Sequence, residues 1–147
     1  MYAKMTILVM TILALALVAC GGSDVAEQTV LEQTIAVDMQ DIYYGPENDN
    51  AQNPPEWTVS SGAEVTVRME NMGALEHSWV ILKQGEAVPP VYDEAVDGDK
   101  VLFSSGDVPA GSNEEVKFTA PAAGEYNVLC TVPGHSAIMQ GRLMVTG

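Results

Sequence analysis

Apolar and polar side chains alternate along much of this chain. Ile35, Val37 and Met39 share one parity, and Val65, Val67 and Met69 alternate with Thr66, Arg68 and Glu70. The same period recurs in Val116 and Phe118, in Tyr126 and Val128, and in Leu143 and Val145. A period of two predicts strands with one face on a core and one in water. Ser61-Gly62, Pro109-Ala110-Gly111, Pro121 through Gly124 and Pro133-Gly134 supply the turns between them. The run Trp79-Val80-Ile81-Leu82 after His77 is apolar throughout and predicts a strand buried on both faces. Seven to eight such strands predict an all-β, antiparallel Greek-key β-sandwich, with no strong helix signal and no internal repeat. Asp41 to Pro55 and Gln84 to Lys100 fit no strand, and loops this long are usually functional or mobile.

At 147 residues the chain has the length of one domain that needs no disulfide staples. Before it stand Lys4, an apolar stretch from Met5 to Ala19, and Leu17-Val18-Ala19-Cys20-Gly21-Gly22. The stretch is shorter than the roughly 18–20 residues that span a bilayer, and the small residues at its end favour cleavage over a transmembrane anchor. Leu17 to Cys20 resembles the lipobox of bacterial lipoproteins, in which the cysteine becomes the acylated first residue. The expected organisation is a signal peptide over 1–19, a lipidated Cys20 with a flexible tether over 20–33, and a folded domain over 34–147. A plain signal peptide that leaves a cysteine nearby is the alternative.

Residues 1–19 contain Lys4 and no acid, so the exported part carries 5 basic and 20 acidic side chains, a net charge of −15. Such a surface repels phosphate backbones, which argues against nucleic acid as a partner, and it steers toward basic partners at low salt. A salty habitat would give the same composition.

If Cys20 is lipidated, Cys130 is the one free thiol, and a lone thiol in an oxidising compartment is reactive, paired between chains or held by a metal. His135 and Met139 follow it on the same loop, and the chain's other histidine, His77, heads the buried strand. A lone Met is more often a core filler, and a lone His an ordinary hydrogen-bonding residue. Their co-occurrence points instead to a mononuclear site. Two His and one Cys with a distant Met suit copper in a one-electron role. Cys130 has the inward parity of Tyr126 and Val128, and Pro133-Gly134 lets His135 and Met139 fold back over it.

The Cys-x4-His-x3-Met spacing of Cys130 to Gly141, with Pro-Gly before the histidine, resembles the ligand loop of azurin. His77-Ser78-Trp79-Val80 resembles the matching segment of azurin and auracyanin. This is the cupredoxin, or type 1 blue copper, family, and the resemblance covers about residues 34 to 147. It implies a cupredoxin-like sandwich, one Cu(I)/Cu(II) ion, metal ligands His77, Cys130, His135 and Met139, and Ser78, Thr131 and Val132 around them. Plastocyanin has a shorter loop between Cys and His. The chain departs from azurin in having Glu76 rather than Gly before His77, Ser78 where relatives usually have a loop-bracing Asn, and no intramolecular disulfide. In these respects it looks more like auracyanin.

The function these features predict is a membrane-tethered electron carrier with no catalytic residues. Its expected partners are extracytoplasmic redox proteins, such as c-type cytochromes or a membrane electron-transfer complex. Multicopper enzymes need further histidines, and a dinuclear centre needs a second nearby cysteine. Val132, Pro133, Ala137 and Ile138 form an uncharged collar suited to brief docking, and carboxylates in the 41–56 and 86–99 loops would supply long-range attraction. A copper chaperone or storage protein is the alternative, although the Met residues are scattered rather than clustered. A Cys130 nucleophile with His135 as base would leave Met139 and His77 unexplained.

Overall fold

The computed structural model describes residues 30–147, so the expected signal, Cys20 and most of the tether lie outside the described residues. Among the described residues nine strands form two layers. They are β1 (Glu32–Gln40), β2 (Tyr43–Tyr44), β3 (Glu56–Ser60), β4 (Glu64–Asn71), β5 (His77–Leu82), β6 (Val101–Val108), β7 (Asn113–Thr119), β8 (Gly124–Leu129) and β9 (Gln140–Thr146). One sheet has the order β2-β1-β4-β7 and the other β3-β9-β8-β5-β6.

The alternation in β1, β4, β8 and β9 is reproduced residue by residue in their burial, and it places Val37, Met39, Val65, Val67, Val128 and Leu143 between the sheets. One expectation is corrected: the sheets are mixed rather than antiparallel, because β1 runs parallel to β4 and β3 parallel to β9. Parallel neighbours need a crossover, and here the chain leaves the first sheet to form β3 before returning as β4.

All six residues of β5 are buried. One face joins the main core through Trp79 and Ile81. The other packs Val80 and Leu82 with Leu129 beneath Val88, Tyr92 and Val101. The 84–100 stretch is therefore a cover over the outer face of the sheet, and it contains one turn of helix, α1 (Glu94–Asp97), capped by the Asp93 side chain. Trp79 packs edge-on against Trp57 at a centroid separation of 5.6 Å and lies 6.0 Å from Phe118, which ties β5 into the main core.

Candidate metal centre

Three side chains from distant parts of the sequence meet at one end of the sandwich. His77 begins β5, and Cys130 follows the last residue of β8 with the expected inward orientation. The chain then turns at Gly134, whose φ of 85° suits a residue without a Cβ. Beyond it, the amides of Ile138 and Met139 donate to the carbonyl of His135 at 3.0 and 2.9 Å, and Cys130 N–H donates to the carbonyl of Met139 at 3.1 Å. These bonds fold the loop back so that the Met139 main chain lies beside that of Cys130, and both side chains are buried in the same core.

Cys130 Sγ lies 3.6 Å from Nδ1 of His135 and 3.9 Å from Nδ1 of His77. A metal held at about 2.0 Å to nitrogen and about 2.3 Å to sulfur, at angles between tetrahedral and trigonal, separates such donors by roughly 3.5–3.7 Å. The three donors are thus spaced for one ion, and all lie within 4.8 Å of one another. His77, Cys130 and Met139 are fully buried, whereas His135 keeps 6% of its surface exposed. Of these four residues only His135 reaches solvent.

Burial pushes the Cys130 thiol up, opposed by N–H donors from Ser78 and Val132. Burial also lowers both imidazoles, so each is neutral at pH 7 and offers a lone pair to a metal. The short Ser78 still braces the loop. Its hydroxyl accepts Thr131 N–H at 2.8 Å and lies 2.8 Å from Thr131 Oγ1, while its own N–H points at Cys130 Sγ at 3.4 Å. Tyr44 donates its hydroxyl to the Ser78 carbonyl. Around His135, Val132 is half-buried, and Pro133, Ala137 and Ile138 are exposed.

Sequence reasoning missed Asp41 and Asn71. Asp41 Oδ1 lies 3.3 Å from Nε2 of His77. Hydrogen bonds from the Ala74 amide, with smaller contributions from Leu75 and His77, hold its carboxyl below the usual range. Buried Asn71 binds the carbonyls of Leu75 and Val108. Neither residue carries a local signal, because each acts on a segment reached only through tertiary folding.

The model of the copper binding proteins of the plastocyanin/azurin family matches residues 42–146. The chain belongs to that family. This cupredoxin is 36% identical to auracyanin-A of Chloroflexus aurantiacus, an alignment covering 96% of this chain and 95% of the relative. Its fold matches solved auracyanin A, a "blue" copper protein of that bacterium, with a TM-score of 0.60, 31% identity, and coverage of 78% of this chain and 99% of the other. Reduced auracyanin from Roseiflexus castenholzii gives the same TM-score at 29% identity, covering 78% and 97%. The cupredoxin's cofactor is one type 1 copper ion, which the His and Cys donor set fits.

Proposed function

We propose that this cupredoxin is a lipid-anchored, extracytoplasmic carrier of single electrons, with His77, Cys130, His135 and Met139 as its copper ligands. The observation that carries this reading is the meeting of one thiol and two neutral imidazoles at single-ion spacing, sealed from solvent except at His135. Copper bound there supplies a Cu(I)/Cu(II) couple. Cys130 would hold copper as its thiolate, and in the metal-free protein burial pushes its thiol up and favours the protonated form. The hydrogen bonds closing residues 130–139 hold the ligand frame in one arrangement, and burial keeps water from it. Electrons enter and leave at the His135 edge, within the collar of Val132, Pro133, Ala137 and Ile138.

The protein is read as a carrier rather than an enzyme because both of its histidines are used in this one centre. Among the described residues, 30–147, no helix is long and apolar enough to cross a membrane. The support for a lipid anchor is the lipobox-like run Leu17 to Cys20. Acidic loops favour basic redox partners such as c-type cytochromes.

Addition of Cu(II) to the apoprotein tests the reading. An intense blue thiolate-to-copper band is expected, and Cys130→Ser should abolish it while leaving a folded β-sandwich. A colourless wild-type protein would overturn the assignment.

A further inference from the structure

We propose that Asp41 is a positioning residue that lowers the reduction potential of the copper centre through its contact with His77; this rests on the copper reading above. His77 turns Nδ1 toward Cys130 and Nε2 toward Asp41, at 3.9 and 3.3 Å. With Nδ1 given to a metal, Nε2 carries the ring proton and must donate it. The acceptor here is a carboxylate rather than a neutral carbonyl. A full negative charge at the far side of the ring makes the imidazole a stronger donor, which favours the more highly charged Cu(II).

The chain is built around this contact. Both oxygens of Asp41 accept the Ala74 amide, at 3.0 and 2.9 Å, and Oδ1 also accepts the Leu75 amide at 3.1 Å. A Cβ on Gly73 would stand 2.2 Å from Oδ1 and 2.9 Å from Cγ of Asp41, so the missing side chain makes room for the carboxylate. From the other side Asn71 accepts the Gly73 amide at 3.0 Å and donates to the Leu75 carbonyl at 2.8 Å. The turn leading into His77 is held at both faces. The Asp41 side chain keeps 37% of its surface in solvent, which lets it remain charged beside a buried ring at little desolvation cost.

The test compares the copper-loaded wild type with Asp41→Asn and Gly73→Ala. Asn keeps an acceptor and loses the charge; Ala at 73 keeps the charge and displaces it. Both variants should stay blue, and both should raise the midpoint potential. Second-sphere changes of this kind typically alter metal affinity by 10–100-fold. A tenfold change in the ratio of Cu(I) to Cu(II) affinity is about 59 mV for one electron. The shift should survive 1 M salt, where long-range charge effects are screened. In the diamagnetic Cu(I) protein, the Nε2 proton of His77 should exchange slowly with solvent in the wild type and faster in both variants. An unmoved potential in blue Asp41→Asn, or a shift that high salt removes, would overturn the role of Asp41. A colourless wild type would instead overturn the copper reading.

Discussion

The Ser78 hydroxyl accepts the backbone N–H of Thr131 at 2.8 Å, so the strand carrying His77 is fastened to the loop carrying Cys130 and His135. A longer side chain is not needed, because β5 and the start of the loop lie side by side. Ser78→Ala would leave the part-buried Thr131 amide without its partner, which costs up to about 1 kcal/mol, the lower end of the figure for a fully buried donor. Denaturant unfolding of the apoprotein should show a loss of that size, with faster amide exchange at Thr131. Equal stability would mean that the loop holds itself.

Met139 is fully buried, and its amide and carbonyl are bonded to His135 and Cys130. Met139→Leu conserves volume and should keep both fold and colour. Loss of the thioether should raise the potential, on the order of 59 mV for a tenfold change in relative affinity, whereas Met139→Gln should lower it. Voltammetry of the three proteins checks this. No movement with either substitution would mean that no thioether is a ligand, since Met144 lies on the outer face of β9.

The strands were legible wherever one face is wet, because burial then imposes alternation, as in Val65, Val67 and Met69. The loop that brings Cys130 beside His135 was legible because the thiol, the Pro-Gly turn and the imidazole sit within a few residues. Parallel pairing of β1 with β4 was not, since register between residues 32 positions apart, such as Glu32 and Glu64, leaves no local trace. The two-residue β2 and the single turn Glu94–Asp97 are too short to set a period. Asp41 read as one more acid in a polar loop, and nothing near it in sequence announces that it meets a histidine 36 positions later.

His77 and His135 both have pKa values lowered by burial from the ordinary 6.5. The unfolded chain therefore binds more protons than the folded one as pH falls through about 6.5, and the apoprotein should lose stability on acidification from pH 7 toward 5. Bound copper excludes those protons, so the loaded protein should hold its stability further down until the metal is displaced. Thermal midpoints of both forms across this range test the sign. An apoprotein insensitive to pH would contradict it.

Location is tested at Cys20. Cys20→Ala should block lipid attachment and leave an uncleaved precursor or a soluble protein. Labelling cells with a radioactive fatty acid reports it directly, and an unlabelled wild-type protein would remove the tether.

Electron exchange should respond differently to the collar and to the loop acids. His135 is the one proposed ligand with surface exposed, and Ala137 and Ile138 stand exposed beside it in the loop. A charge placed there must be desolvated in every docked pose, so Ala137→Asp should slow exchange at all salt concentrations, on the order of tenfold if the barrier rises by about 1.4 kcal/mol. The loop acids divide into two groups. Asp97 is 4% exposed and bonded to Lys100 at 2.7 Å, and Asp41 is committed to Ala74, Leu75 and His77. Exposed Glu47, Asp93, Glu94 and Asp99 remain to attract a basic partner. Neutralising these four should slow exchange mainly at low salt, because steering fades as the Debye length shrinks. Stopped-flow rates with a basic c-type cytochrome over an ionic-strength series separate the two effects, and an unchanged rate for Ala137→Asp would move the docking face away from His135.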